Sequence, residues 1–322
     1  MIGAALARRL LRDPNWEVRV SDHRPAPGWM REACEVQTAD LRDLDSARAA
    51  VEGCSHVVHL AAIVGGIANF HKLPFTLTEV NNALTGAIVR ASLEGGVTRF
   101  VYVSSSMVFE NAREFPTTEE HLLDCPAPRS AYGFSKLSGE LYTRAAHDQH
   151  GLPYTICRPF NAYGPGELPD PVEPGIAHAV PDLIAKSLAG QRPLEIFGSG
   201  EQTRTLTHVD DIAEGIVAAM GAAAGENEDF NISASDELAV AEIARLIWEA
   251  CENRPEDFEL THLPSFEIDV QRRWPSVEKA RRAIGWEAKI GLEEGIVQTV
   301  EWLREHGTTP ATSPSGRPGG AA

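Results

Sequence analysis

Strand-like and helix-like hydrophobic patterns alternate along the first half of the chain. Compact apolar strands are predicted over residues 17–21, 56–60, 99–104 and 154–160, with a shorter one around Val36. Helical periodicity fills the intervals, over residues 2–11, 44–51, 78–93 and 130–147. Strands that alternate with helices in this way form a parallel sheet covered by helices on both faces. The first half therefore predicts a doubly wound α/β domain.

The second half is less regular and predicts a smaller lobe. A Pro-rich loop is expected over residues 167–175, followed by a strand over 194–197. Helices are predicted near residues 181–188, 211–219, 240–251, 276–284 and 292–306. We expect residues 1–165 to bind a dinucleotide and residues 166–306 to form mainly a substrate lobe, from which some segments return to the first domain. Residues 307–322 are rich in Gly, Pro, Ser and Thr, which predicts a disordered tail.

Charge and cysteine content exclude several classes of function. The 29 Lys and Arg against 46 Asp and Glu give a net charge of -17, which opposes binding to nucleic acid or to an anionic membrane. No apolar run is long enough for a membrane span, and the N-terminus lacks a signal-peptide pattern, so we expect a soluble, cytoplasmic protein. The five cysteines are far apart and predict neither a disulfide framework nor a metal site.

Three residues near the N-terminus are spaced as in a dinucleotide site. Such a site needs a strand, a glycine-rich turn, a helix whose amides face the pyrophosphate, and an acid at the end of the second strand. Gly3 occupies the place of the third glycine, and Asp22 is placed to bind the adenosine ribose. Asp40, next to Leu41, follows the short strand and could meet the adenine edge. Alone, Gly3 could serve only packing, and Asp22 or Asp40 could be a solvated turn acid.

The same region predicts an incomplete sheet. The first strand and the first two glycines of the pattern have no counterpart before Met1, so we expect the sheet to lack that strand and to leave two unpaired edges. Asp22 favours NAD over NADP, because a carboxylate repels a 2′-phosphate, although Arg24 lies close enough to keep NADP open. The overall expectation is a Rossmann-like doubly wound parallel sheet with a smaller C-terminal α/β substrate lobe.

A tyrosine, a lysine and a run of serines suggest acid–base chemistry. Tyr132 and Lys136 are four residues apart and share one helix face. A phenol with a pKa near 10 becomes a useful base only when a neighbouring cation stabilises its anion, which Lys136 could do while also binding the nicotinamide ribose. Ser104, Ser105 and Ser106 follow a parallel strand, where α/β sheets bind ligands, and a serine there can relay a proton. Ser104 could instead cap the strand end.

Several motifs occur together with this pair. They are His59-Leu60-Ala61-Ala62, Val80-Asn81, Ser104-Ser105-Ser106, Arg158-Pro159-Phe160-Asn161, residues 198–204 and His208-Val209-Asp210-Asp211. In this combination the chain resembles the extended short-chain dehydrogenase/reductase family, and in particular its NAD-dependent nucleotide-sugar epimerases and dehydratases. The resemblance extends from Ile2 to about Trp302.

The resemblance implies roles for individual residues. It makes Ser105, Tyr132 and Lys136 the catalytic groups. It places Leu60, Ala61, Ala62, Asn81, Ser104 and Pro159 against NAD. It assigns a nucleotide-diphosphate sugar to Ser105, Ser106, Asn161, His178, Arg204 and Arg273. Arg272 could replace Arg273 as the diphosphate contact. The resemblance also implies a homodimer through the two helices predicted over residues 78–93 and 130–147.

The resemblance is less specific for the reaction. Family 4,6-dehydratases carry an Asp-Glu pair directly after the catalytic hydroxyl, and sugar-acid decarboxylases carry a Glu there, where this chain has Ser106 and Met107. Residues 64–70 are similar to a loop of GDP-mannose 3,5-epimerases, which use a Cys at the Met107 position and a Lys near His178. A 4-epimerase needs no further acid or base, so 4-epimerisation through a transient 4-keto intermediate is the first hypothesis. The alternatives are a dehydratase, a decarboxylase, a 3,5-epimerase and a non-catalytic binding protein.

Overall fold

The computed structural model describes residues 1–64, 72–170, 177–266 and 268–307. Its first half contains, in chain order, α1 (Ile2–Leu11), β1 (Arg19–Asp22), α2 (Gly28–Ala33), β2 (Glu35–Thr38), α3 (Leu44–Val51), β3 (His56–His59), α4 (Pro74–Gly95), β4 (Arg99–Val103), α5 (Ala131–His150), β5 (Tyr154–Pro159) and β6 (Ala162–Tyr163). The second half contains α6 (Ala179–Leu188), β7 (Leu194–Phe197), β8 (Thr203–Arg204), β9 (Thr207–His208), α7 (Val209–Gly221), β10 (Glu228–Ile232), β11 (Leu238–Ala239), α8 (Val240–Ala250), β12 (Leu260–Leu263), α9 (Glu278–Ile284) and α10 (Leu292–His306).

The parallel α/β fold predicted from the sequence is confirmed. Strands β10, β5, β4 and β3 lie side by side in that order, and every neighbouring pair is parallel. Strand β1 forms a separate parallel pair with β2. Among the described residues, β1 has no ladder partner but β2, and β3 has none but β4. The Rossmann-like sheet is therefore present in two hydrogen-bonded pieces.

Two hydrophobic layers cover the four-stranded sheet. Side chains alternate along β4, so Val101 and Val103 point to one layer, while Phe100 and Tyr102 point to the other. The first layer holds α1 and α7, because Leu6 and Leu10 pack with Ile212 and Ile216. The second layer holds α3, α4 and α5. The layer formed by α1 and α7 joins helices from both halves of the sequence.

A second core lies under the smaller set of strands. Strands β7 and β12 pair in parallel, and apolar side chains of α6, α8 and α10 pack against β7. Its members include Ile184, Ile196, Ile247, Trp248 and Val300. The separate core agrees with an irregular second lobe, while the domain boundary at residue 165 stays a prediction.

The elements that the sequence analysis did not predict are α2 and the strands β6, β8, β9, β10, β11 and β12, and the bounds of several helices differ. Helix α2 is only six residues long, too short for a hydrophobic period, and β10 joins the first sheet from the second half. Helix α4 begins at Pro74, one turn earlier than predicted, because proline is well suited to the first helical turn. Parts of the predicted loops over 63–70 and 167–175, and all but the first residue of the predicted tail, lie outside the described residues. No described helix is long and apolar enough to cross a membrane.

Candidate active site

One cavity of about 1790 Å³ lies along the carboxyl ends of the parallel strands and extends between β1 and β3 over their whole length. The predicted site residues that line it are Gly3, Asp22, Asp40, Leu41, Leu60, Ala61, Ala62, Ser104, Ser105, Ser106, Tyr132, Lys136, Pro159, Asn161, His178, Arg204 and Arg273. The structure thus brings together all but one of the predicted residues, which extend from position 3 to position 273. This is the edge at which open α/β sheets bind ligands.

Asn81 is the exception, since it does not line the cavity. Its side chain is buried in α4, where the amide oxygen accepts a hydrogen bond from the Ile63 amide at 2.7 Å. Its Nδ2 donates to the Ile63 carbonyl and to the Ser135 hydroxyl, each at 3.2 Å. Asn81 therefore fixes the loop after β3 to α4 and α5. The prediction that Asn81 contacts the cofactor is therefore corrected. Its side chain holds the loop in place, because its polar atoms are already hydrogen-bonded within the protein.

The turn after β4 and the first turn of α5 are packed tightly together. Residues Ser106–Phe109 form a 3-10 turn, and the Glu110 carboxylate accepts hydrogen bonds from the Arg129 and Ser130 amides at 2.8 and 3.2 Å. A Cβ atom on Gly133 would lie 2.8 Å from the Met107 carbonyl oxygen, so the approach requires glycine there. This close approach brings the serine turn against the helix that carries Tyr132.

The hydroxyls of Ser105 and Tyr132 meet where these elements join. Burial raises the pKa of Tyr132 to about 12, while a hydrogen bond with Ser105 and the charge of Arg273 act in the opposite direction. Ser105 also accepts a hydrogen bond from the Met107 amide at 3.2 Å, which fixes its side chain. The phenol is thus buried beside two groups that stabilise its anion.

Lys136 lies one helical turn further along α5. Its Nζ donates to the Val103 carbonyl at 2.8 Å and lies 5.9 Å from the centre of the Tyr132 ring. Burial lowers the pKa of this lysine to about 8, and the negative charge of Glu140 opposes that shift. The predicted i, i+4 pair is therefore present, with both side chains buried and turned to the cavity.

Buried charges that the sequence analysis did not identify lie behind Lys136. Glu140 accepts hydrogen bonds from Arg158 Nε and Nη2 at 2.8 and 2.7 Å, and from the Ser104 hydroxyl at 2.6 Å. Ser104 therefore bonds to Glu140, and the expectation that it caps the strand end is wrong. The sequence signal for Glu140 was its position four residues after Lys136, the same interval that separates Lys136 from Tyr132.

Asn161 and Arg273 form the opposite wall of this corner. Asn161 adopts a positive φ of 37°, a conformation uncommon outside glycine, and its Nδ2 donates to the Thr205 carbonyl at 2.9 Å. Its Oδ1 accepts from Arg273 Nη1 at 3.0 Å, and Arg273 Nη2 contacts the Met107 sulfur at 2.6 Å. Burial lowers the pKa of Arg273 to about 9. Met107 thus faces the same corner as Tyr132.

The structure distinguishes the two arginines that the sequence left open. Arg272 pairs on the surface with Glu237, at 2.7 Å, and does not line the cavity. Arg273 does line it, and its Nε has no hydrogen-bond partner among the described residues. Arg204 also lines the cavity and pairs with Asp269 at 3.0 Å. Two partly buried guanidinium groups therefore face the cavity, which suits an anionic ligand.

His178 is paired with a carboxylate at the rim of the cavity. Its Nδ1 lies 2.7 Å from Glu167 Oε1, and its backbone amide donates to the same oxygen at 3.0 Å. Glu167 is largely buried, which raises its pKa, but its contacts with His178 outweigh burial and lower it. The sequence had identified a lone histidine, whereas the structure shows a histidine with a hydrogen-bonded acid.

At its other end the cavity is lined by α1, β1 and β3. Asp22 closes β1, and its side chain is 42% exposed. Gly3 lies in the first turn of α1. This turn lines the cavity, and no side chain caps its backbone amides. Asp40 already makes an ion pair with Arg42 at 2.5 Å, which lowers the pKa of its carboxyl to about 2. Asp22 accepts a hydrogen bond from the Arg24 amide at 2.8 Å and contacts Arg24 Nε at 3.5 Å, but both contacts use Oδ1, whereas Arg42 bonds both carboxylate oxygens of Asp40. Oδ2 of Asp22 is therefore better placed for a ligand hydroxyl.

Comparison with known proteins identifies the family. The NAD dependent epimerase/dehydratase family matches residues 1–233 of this chain. The chain belongs to this family. The match to an NAD-dependent epimerase/dehydratase agrees with the resemblance drawn from its sequence motifs, and NAD is the cofactor of the family.

Relatives and solved structures cover almost the whole chain. A UDP-glucose 4-epimerase of Mycolicibacterium smegmatis is 30% identical over 311 residues, which cover 94% of this chain and 95% of the relative. The crystal structure of a UDP-glucose 4-epimerase from Thermotoga maritima with UDP-glucose gives a TM-score of 0.84 at 29% identity, covering 95% and 96% of the two chains. A UDP-glucuronic acid 4-epimerase from Bacillus cereus, solved with UDP-glucuronic acid and NAD, gives 0.83 at 26% identity, covering 94% and 96%. Other relatives at 28% and 30% identity are named as a dehydratase and a decarboxylase.

The residues present fit NAD. The uncapped start of α1 offers amide donors and the positive end of the helix dipole to a pyrophosphate. The open carboxylate of Asp22 suits ribose hydroxyls, and Lys136 supplies a cation at the other end of the same cavity. These three groups of the epimerase/dehydratase chain suit the pyrophosphate and the two ribose ends of NAD.

Proposed function

We propose that this chain is an NAD-dependent nucleotide-sugar 4-epimerase. The observation that supports it best is the position of Met107, which faces the corner of Ser105 and Tyr132 and contacts Arg273. A thioether cannot donate or accept a proton in an elimination, so the corner has the groups for oxidation and reduction but lacks the acid that dehydratases of this family carry there. Ser106, the other position of that acid pair, is a buried hydroxyl.

Tyr132, Ser105 and Lys136 would perform the proton transfers. Tyr132 removes the proton of the sugar 4-hydroxyl and later returns it, while Ser105 shares the hydrogen bond between the phenol and that hydroxyl. The Ser105 hydrogen bond and the charge of Arg273 stabilise the phenolate, which is needed because burial alone disfavours it, and the Lys136 ammonium, 5.9 Å from the ring centre, would add a second positive charge. NAD, when bound, supplies the acceptor and donor of the hydride. Rotation of the ketone in the cavity would expose its other face.

Arg204, Arg273 and Asn161 would hold the substrate. The diphosphate carries negative charge, and the two arginines bring positive charge to the cavity of an otherwise acidic protein. The unpartnered Nε of Arg273 is a donor that a phosphate or sugar oxygen would satisfy. We therefore assign the ligand to the class of nucleotide-diphosphate sugars.

Proton NMR of reaction mixtures tests this function directly. The purified chain is incubated with NAD and, separately, with UDP-, GDP- and TDP-sugars, and the anomeric signal of each is followed. A new anomeric signal at unchanged substrate mass, with ring couplings that show inversion at C4, is the expected result. Loss of one water from the substrate would overturn the proposal in favour of a dehydratase, and the absence of change with every sugar would favour a binding protein.

The His178 and Glu167 pair favours a second candidate, a 3,5-epimerase. A histidine hydrogen-bonded to a buried carboxylate in the substrate cavity could exchange protons at the carbons beside the ketone. In deuterium oxide such an enzyme incorporates deuterium at C3 or C5, whereas a 4-epimerase does not. Incorporation that disappears in His178→Gln, while Tyr132-dependent oxidation persists, would establish this alternative.

We also propose a homodimer built on α4 and α5. These helices pack against each other, and α5 exposes Phe134, Leu141 and Tyr142, with Leu141 61% exposed. Such a run of apolar side chains on one helix is typical of a subunit contact. Light scattering after size exclusion should give twice the chain mass of 34.9 kDa, and Leu141→Glu should give the monomer. The cytoplasmic location stays a prediction.

A further inference from the structure

A buried carboxylate links three elements that lead to predicted catalytic and substrate-binding residues. Glu140 lies on α5, one turn after Lys136, and its side chain is 1% exposed. It is bonded to Ser104 at the end of β4 and to Arg158 on β5, whose side chain is fully buried. Tyr132 lies on α5, Ser105 follows β4, and Asn161 follows β5. Glu140 thus joins the parts of the corner from behind.

The charges around Lys136 make Glu140 its main electrostatic partner. His59 on β3 faces the lysine but is neutral, because burial holds its pKa near 3. Tyr102 on β4 lies 5.4 Å away and is neutral too, because burial raises its pKa. Tyr132 shares α5 with the lysine, and Arg273 faces Tyr132 from the opposite wall. Within the described residues, burial and Glu140 alone shift the pKa of Lys136.

The arginine side of the pair is also anchored to β10, through an acid that Arg144 of α5 contacts as well. Arg158 Nη2 donates to Asp229 on β10 at 2.6 Å, and Asp229 also binds Arg144 at 2.9 Å and Lys279 at 2.7 Å. A buried carboxylate without its arginine would be unfavourable, so this anchored guanidinium fixes Glu140 in place. Lys136 binds the Val103 carbonyl at 2.8 Å, and Glu140 binds the hydroxyl of the next residue, Ser104, at 2.6 Å, so the two side chains meet the same strand end.

We propose that Glu140 is a positioning residue that keeps Lys136 charged and in place for Tyr132, and that Arg158 fixes Glu140. This inference rests on the proposed function, since it assigns the Lys136 ammonium a part in proton transfer. It predicts that removing the negative charge of Glu140 lowers the pH at which Lys136 loses its proton. A neutral lysine no longer stabilises the phenolate of Tyr132.

An NMR titration of Lys136 tests the inference without using turnover. The chain has five lysines, so ¹³Cε-lysine labelling of the full chain with NAD added gives few signals, and Lys136→Arg identifies the one that matters. In Glu140→Gln we expect the Lys136 midpoint to fall by about one pH unit or more. Asp229→Asn is the matched control, because Asp229 also pairs with Arg158 but does not shift the pKa of Lys136. In this variant the Lys136 midpoint should equal that of the unchanged chain.

Turnover adds a second readout once a substrate is known. In Glu140→Gln the alkaline limb of the kcat profile should move to lower pH, and kcat should fall about tenfold to a hundredfold. Glu140→Asp keeps the charge, so it should keep the alkaline limb while lowering kcat. An unchanged Lys136 midpoint in folded Glu140→Gln, or an equal shift in Asp229→Asn, would overturn the inference even if the chain proves to be an epimerase.

Folding of the variants is checked by circular dichroism. Glu140→Gln leaves the Arg158 charge without its closest partner, which could unfold the chain. In that event the double substitution Glu140→Gln with Arg158→Met removes both charges and is titrated in the same way. Its Lys136 midpoint should still fall, because Glu140 is the charge that raises it. A midpoint equal to that of the unchanged chain would contradict the inference.

Discussion

The two ends of the cavity are built in opposite ways. At the catalytic end, β4 and β5 are buried along their whole length and have a strand on both sides. At the other end, β1 is only partly buried, and β1 and β3 each have one ladder partner among the described residues. Proton transfer requires atoms fixed within fractions of an ångström, and the buried strands provide that. The adenosine end would instead depend on a few individual groups, such as Asp22.

The largest effect should follow from removing the phenol at the catalytic end. Tyr132→Phe keeps the ring but loses the proton acceptor, so we expect turnover to fall about 1000-fold or more, measured by the NMR assay. Tyr142→Phe on the exposed side of the same helix is the control and should retain activity. Substantial turnover by a folded Tyr132→Phe protein would show that the tight corner is not where the chemistry takes place.

The open end is tested by its two acids. Asp22→Ala should weaken NAD binding about tenfold to a hundredfold, because a charged acceptor for ribose hydroxyls is lost. Asp40→Ala should change the affinity less than about threefold, since Asp40 is an exposed acid paired with Arg42. Isothermal titration calorimetry gives both dissociation constants. Equal losses in the two variants would mean that recognition at this end does not depend on one group.

Ser105 should affect the pH dependence of the catalytic end. Its hydrogen bond lowers the pKa of Tyr132, so its removal in Ser105→Ala raises that pKa. The phenolate then forms only at higher pH, and the acid limb of the kcat profile should move upward by about one pH unit. Profiles extended well above pH 9 would show it, because burial raises the pKa of Tyr132 to about 12. A limb that stays in place would mean that the serine does not contact the phenol during turnover.

The smallest expected effect is on stability. A truncated side chain at the catalytic end should lower the free energy of unfolding more than one at the open end. Val101→Ala opens a void in a fully buried strand and should cost about 2 kcal/mol of unfolding free energy. Val57→Ala on the partly buried β3 should cost about 1 kcal/mol or less, because its methyl groups already meet the cavity. Urea unfolding of both variants measures the difference. Equal costs would show that the two ends are packed alike.

Local patterns were sufficient for most of the fold. The predicted bounds of the third helix, Leu44–Val51, and of the last helix, Leu292–His306, match the structure. These segments have a clear apolar face or an N-terminal signal such as Asp43, whose side chain accepts from the Ser46 amide. Strand β10 was missed because Asp229 and Asn231 interrupt its apolar pattern, and both are buried through tertiary contacts.

The candidate site, like the fold, could be predicted from local patterns only where tertiary contacts do not decide. Motif spacing predicted which side chains gather at the strand ends, and all except Asn81 line one cavity. Spacing could not show that Glu140 joins Ser104 to Arg158, that Glu167 accompanies His178, or that Asp269 pairs with Arg204. Those partners come from distant parts of the chain, and only packing brings them together.

The position of β10 beside β5 has a consequence for synthesis. During synthesis one edge of β5 (residues 154–159) stays unpaired until β10 (residues 228–232) has left the ribosome. The apolar face that α1 shares with α7 likewise stays uncovered until α7 has been synthesised. A fragment ending near residue 165 would therefore expose a hydrogen-bonding edge and an apolar surface, which favours aggregation. We therefore expect the two halves of the polypeptide to complete their folding together.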